Sequence, residues 1–145
     1  MPDLIVRDAL PDDAAALSPI LAALNYPADE DTIRARMIAL RANDPGGRIL
    51  VAESRGRLLG FATLHCTPTL HRQTSVGRIT GISVVEESRG TGAGRALVEA
   101  AEEHFRRLGL GRIEVTSGPL HQRAHSFYRH LAYEDQGVRF AKALT

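Results

Sequence analysis

Apolar residues recur along this chain at two periods, about two for strands and about three to four for helices, and the changes of period mark its elements. "LIVRDAL" reads as a short strand closed by "PDD". Pro11 and Asp12 then open a helix in which Leu17, Ile20, Leu21 and Leu24 share one face. Pro19 interrupts that face, so the pattern predicts a break there, with Ser18 as a new cap. After the loop "NYPA", "DEDTIRARMIALRAN" predicts a second helix, with acids in its first turn and arginines later, as the helix dipole favours. "NDPGG" ends it. "RILVAE" and "RLLGFATLHC", joined by "SRG", predict an antiparallel hairpin, and "VGRITGISVV" a further strand after a polar loop.

A glycine-rich stretch follows. Beyond it Leu97, Ala100, Ala101, Phe105 and Leu108 make one apolar helical face, stopped at Gly109. "RIEVTS" predicts a strand, "HQRAHSFYRHLA" a helix and "VRFAKAL" a final strand. The order β-α-α-β-β-β-α-β-α-β describes an α/β (α+β) chain, a mixed sheet with helices on its faces. No repeat, low-complexity segment or linker divides it, so residues 1–145 are expected to form one domain.

Composition narrows the class. A length of 145 residues, 43% hydrophobic and 24% charged, suits an ordinary globular protein with a real core. The net charge of +1 gives no reason to expect a nucleic acid. Cys66 is the single cysteine, so neither an intrachain disulfide nor a thiolate metal cluster can form. "MPDLIVRDAL" lacks the basic-then-apolar layout of a signal peptide, and no run reaches the ~18 apolar residues of a membrane span. These features lead to the expectation of a cytoplasmic protein that does not engage membranes.

The chemistry concentrates in "SVVEESRGTGAGRALVEAAEEHF". Glycine near a helix start costs about 1 kcal/mol relative to alanine, yet Gly90, Gly92 and Gly94 stand there together. A strand that turns through glycines into a helix makes an anion site, because the first helical N–H groups lack internal partners and the dipole adds positive charge. Arg89 and Arg95 can add charged hydrogen bonds to phosphate. Tight packing alone would explain a single glycine. The Walker pattern fails, since "RA" follows Gly94 where lysine and serine or threonine are needed. The dinucleotide fingerprint fails too, with arginine at position 95 and the loop late in the sheet.

The stretch resembles the acetyl-coenzyme A motif of the GCN5-related N-acetyltransferases (GNAT): Gln or Arg, two residues, Gly, one residue, Gly or Ala. Here it reads Arg89, Gly90, Thr91, Gly92, Ala93, Gly94, followed by Arg95. Glu86 stands where a proline is common. The element order is the family's throughout, and "AHSFYRHLAYE" is similar to its late motif, with Ala132 in place of a glycine and His121 in place of a frequent asparagine.

The resemblance implies the single-domain acyl-CoA N-acyltransferase fold, with about six to seven strands and about four helices. It also implies an enzyme that moves acetyl from acetyl-CoA to a primary amine by direct attack on the thioester. Backbone around Ile82, Ser83 and Val84 would hold the pantetheine arm and the carbonyl, and Tyr128 would be the general acid. No metal is implied. Pairing into a homodimer occurs in the family, and "VRFAKAL" offers an edge for it. Two alternatives stay open, a non-catalytic CoA-binding regulatory domain and a transferase of another acyl group.

No base is assigned. Some relatives carry a carboxylate on the strand before the loop, but "VGRITGISVV" has none; Glu114, Glu86, Glu87, His65 and an ordered water chain are candidates. His121, His125 and His130 lie near one helix, where a metal site would need a further ligand, so they read as surface histidines. The acids of "ADED" at 28–31 could attract a cationic amine or simply favour a helix start. The acceptor amine is not specified.

Overall fold

The computed structural model describes residues 3–116 and 122–145. It divides into two compact units, Met1–Glu114 and Val115–Thr145. The strands are β1 (Leu4–Asp8), β2 (Arg48–Ser54), β3 (Arg57–Thr67), β4 (Val76–Val84) and β5 (Ile113–Val115), in the spatial order β1-β2-β3-β4-β5. The first three pairings are antiparallel. Gly77 N–H donates to the Arg112 carbonyl at 3.0 Å, so β5 begins where β4 begins, and the two run in the same direction.

The β2–β3 hairpin turns on Arg55 and Gly56, both at positive φ (52° and 79°), the conformation that matches the twist of paired strands. Helices α1 (Ala14–Ala23) and α2 (Glu30–Asn43) cover one face of the sheet. Leu17, Ile20, Ile33 and Met37 bury there against Ile49, Val51 and Phe61. Elsewhere in the core, α3 (Ala93–Arg107) contributes Leu97, Val98, Ala101 and Phe105, all buried. Asp29 caps α2, its carboxylate accepting from Thr32 N–H at 2.7 Å, and Glu30 and Asp31 pair with Arg34. The acids at 28–31 therefore start a helix.

Two expectations need correction. Pro19 does not break α1, which runs through it; a proline removes one internal hydrogen bond, and burial of Leu17 and Ile20 on either side holds the turn together. Ser18 caps nothing there, its hydroxyl instead donating to the Ala28 carbonyl at 2.7 Å. The sheet has five strands among the described residues, not six or seven. Residues 138–144 form no strand, and Val138, Phe140 and Leu144 are 79%, 90% and 93% exposed. An alternating pattern makes a strand only where a neighbour supplies the ladder.

In the second unit, α4 (Gln122–His130) carries Phe127 and Tyr128. It ends with Ala132 at φ 69°, and Tyr133 N–H donates back to the Tyr128 carbonyl at 2.9 Å. His121 lies outside the described residues. No helix among the described residues is long and apolar enough to cross a membrane.

Candidate functional site

β4 delivers the chain to the glycine loop. Val85 N–H donates to the Leu59 carbonyl at 2.7 Å, anchoring the end of β4, and Glu86–Ser88 then form one tight helical turn. Ser88 is buried, and its carbonyl accepts from the Thr91 hydroxyl at 2.5 Å. Gly90 and Gly92 sit at φ 80° and 94°, and a Cβ on either would meet nothing within 4 Å. These two glycines are therefore present for backbone angle, and the space in front of them is open. Gly94 lies inside α3 and is not at positive φ.

Gly92 is the residue that caps α3, with no side chain to accept from the first turn. Among the described residues, the N–H groups of Gly92, Ala93, Gly94 and Arg95 meet no acceptor. Four orphan donors and the positive end of a 15-residue helix thus face the same opening. Arg89 is exposed and meets no carboxylate among the described residues, whereas Arg95 pairs along the helix with Glu99 at 2.8 Å. Of the two arginines, Arg89 has the freer guanidinium for an anion.

Upstream, Ile82, Ser83 and Val84 pair with Ala62, Phe61 and Gly60 of β3, which leaves their other edge toward β5. β5 is three residues long and begins at the level of Gly77, so at about 3.3 Å per residue it ends short of Ile82. An extended ligand arm could hydrogen-bond along that edge as a strand would. Sequence reasoning missed the bulge just before it. Leu64 pairs with Ile79 and Thr63 with Gly81, so Thr80 is an extra, exposed residue that bends β4. No sequence signal beyond the neighbouring Gly81 hints at it.

The carboxylate candidates fare differently. Glu114 accepts from Arg112 Nε at 2.7 Å and lies 3.9 Å from Arg78. Arg112 first, and Arg78 less strongly, hold its carboxyl below the usual range, which weakens it as a base. Glu87 pairs with Arg57, and Glu86 belongs to the turn after β4. His65, near the end of β3, is within 3.1 Å of Asp44 through Nδ1.

Tyr128 belongs to the second unit. Its ring packs on Phe127 (5.3 Å, edge-on) and Tyr133 (5.8 Å). Burial pushes its phenol above the ordinary value near 10, so the hydroxyl keeps its proton at neutral pH. Among the described residues no three His, Cys, Asp or Glu side chains come together as metal ligands.

The family model described as "Acetyltransferase (GNAT) family" matches residues 15–133. The aminoalkylphosphonate N-acetyltransferase of Salmonella typhimurium is 31% identical over 121 residues, covering 83% of this chain and 75% of that enzyme. The mycothiol acetyltransferase of Pseudarthrobacter chlorophenolicus is 30% identical over 90 residues, 62% of this chain, which spans only 28% of its length. An acetyltransferase from Trypanosoma brucei superposes with a TM-score of 0.83 at 24% identity, covering 98% of this chain and all (100%) of that one, a likeness of fold.

Proposed function

The chain belongs to the GNAT family, whose members move acetyl from acetyl-CoA to an amine, and from that premise we propose which of its residues do the work. As an N-acetyltransferase it has to hold a pyrophosphate, aim a thioester and manage two protons. The N–H groups of residues 92–95 and the Arg89 guanidinium bind the pyrophosphate; Arg95, Gly90 and Thr91 shape the loop around it. The free edge of Ile82, Ser83 and Val84 aligns the pantetheine arm and polarises the carbonyl. When bound, acetyl-CoA supplies an acyl carbon already activated as a thioester. Tyr128, at the family's tyrosine position, gives its proton to the departing sulfur.

The observation that carries this reading is the row of orphan N–H groups at a helix start opened by Gly90 and Gly92 at positive φ. A regulatory domain would need the same anion site but no acid, and a half-buried tyrosine, Tyr128, at the family's tyrosine position supports the enzyme. The family match crosses both compact units, which supports reading residues 1–145 as one acetyltransferase domain.

For the acceptor we propose a small primary amine, with aminoalkylphosphonates first because of the Salmonella relative. Arg78, its side chain 42% exposed in the groove beside Thr80, offers such an anion a partner. Thiol release from acetyl-CoA, measured with aminoalkylphosphonates, uncharged amines, amino acids, polyamines and aminoglycosides, tests this. Preference for the phosphonates supports it, and preference for uncharged amines or polyamines removes it. Release with succinyl- or propionyl-CoA instead would shift the acyl group.

A further inference from the structure

The turn at Asp44–Gly47 closes with Gly47 N–H donating to the Asp44 carbonyl at 3.0 Å. It lies hard against β3. A Cβ on Gly47 would come within 2.6 Å of the Leu64 carbonyl and 2.8 Å of the Asp44 carboxylate, and one on Gly46 within 2.7 Å of Cys66 Cβ. The "DPGG" sequence is thus what lets the turn press a carboxylate onto the strand.

One oxygen of that carboxylate is held in place. Asp44 Oδ2 accepts from Cys66 N–H at 3.0 Å and faces His65 Nδ1 at 3.1 Å. An ionised carboxylate only accepts, so in the neutral imidazole Nδ1 is the nitrogen that donates and Nε2 the one that carries the lone pair. No partner for Nε2 stands among the described residues. The two side chains are 25% and 17% exposed, at the wall of a groove of about 760 Å³ that also includes Leu40, Arg78 and Thr80. Arg78 is the cross-strand partner of His65, and Thr80 is the bulge two residues before Ile82, about 7 Å along the strand.

We propose that His65, oriented by Asp44, is the general base that takes the proton from the acceptor amine in this groove; this rests on the acetyltransferase reading. An ammonium proton passes to His65 Nε2 and on to solvent. The freed nitrogen pair forms the C–N bond, the C–S bond breaks with its electrons on sulfur, and loss of a second nitrogen proton balances the one the thiolate takes up. The charged and titratable groups around His65 are Asp44 after α2, Arg41 on α2, Arg48 on β2, Cys66 beside it and Arg78 on β4, with Glu114 behind Arg78. Of these, Asp44 alone has a hydrogen bond to the imidazole. Glu114, doubly matched to arginines, is the weaker base.

The test compares the wild-type chain with His65→Gln and Asp44→Asn. Nitrogen NMR of the His65 ring is expected to show the Nδ1–H tautomer, and titration with the acceptor amine, without acetyl-CoA, to move the Nε2 signal. Asp44→Asn should weaken that tautomer preference. His65→Gln should lower kcat by about 10²–10³, flatten the rise of kcat/KM with pH and leave acetyl-CoA affinity unchanged by calorimetry. An Nε2–H tautomer in the wild type overturns the proposal, as does a His65→Gln enzyme within about threefold of wild-type kcat with the same pH profile. If the wild-type chain acetylates no amine, the acetyltransferase reading falls. The ring tautomer and its response to amine still decide the role of His65.

Discussion

Arg89 and Tyr128 separate binding from chemistry one side chain at a time. Arg89 is exposed and meets no carboxylate among the described residues, so its removal should cost the fold little. Arg89→Ala should weaken CoA by about 1.5–3 kcal/mol, the range for a charged hydrogen bond. The loss should nearly vanish for pantetheine, which has no pyrophosphate, and calorimetry with both ligands reads the difference. Equal losses would make Arg89 a support of the loop. Tyr128→Phe keeps the ring packed on Phe127 and Tyr133 while deleting the hydroxyl. Acetyl-CoA affinity should hold, and kcat and kcat/KM should fall together by about 10²–10³. A variant with normal kcat would leave Tyr128 as a packing residue. The sequence exposed Arg89 and the glycines because a motif of fixed spacing encodes them. It offered His65 as one base candidate among several but gave no sign of its pairing with Asp44, which stands 21 positions away and meets it only because a turn is folded onto a strand.

Local patterns were most readable where an element carries its own punctuation. Asp29 caps α2, Gly109 at φ 76° ends α3, and Arg55-Gly56 turns the hairpin, each a choice visible in the chain. Pro19 misled because propensity is local and the burial of α1 is not. The last predicted strand misled for the converse reason: alternation cannot supply its own neighbour. Ala132, after α4, holds a left-handed conformation that disfavours every residue with a Cβ. Ala132→Gly should relieve about 0.5–1 kcal/mol, part of the relief being offset by the looser unfolded chain. Slower hydrogen exchange at the Tyr133 amide, which bonds back to Tyr128, measures it, and faster exchange would contradict it.

For the molecule as a whole, the edge of the sheet is tied by Arg7, which grips Asp13 at 2.8 Å and Glu53 at 3.2 Å. The Arg7 hydrogen bond holds the Asp13 carboxyl below its ordinary range. A depressed carboxylate stabilises the fold above its unfolded value, about 3.9, and that contribution is lost as pH falls through the lower folded value. Arg7→Met should cost about 1.5–3 kcal/mol near neutrality. It should also shrink the fall of melting temperature on acidification, and an unchanged slope would remove Asp13 from the acid response. The start of α3 has a consequence of another kind. Its open donors exist only when the helix does, so a ligand that fills them binds the folded chain and not the unfolded one. At a hundredfold excess over Kd, saturation is worth about 2.7 kcal/mol, roughly 5–10 °C in melting temperature for a chain of this length. Heating with CoA and with pantetheine should show the rise for the first and little for the second. Under that linkage the durability of the protein in a cell follows the supply of its own co-substrate, and a pool starved of it would be cleared sooner.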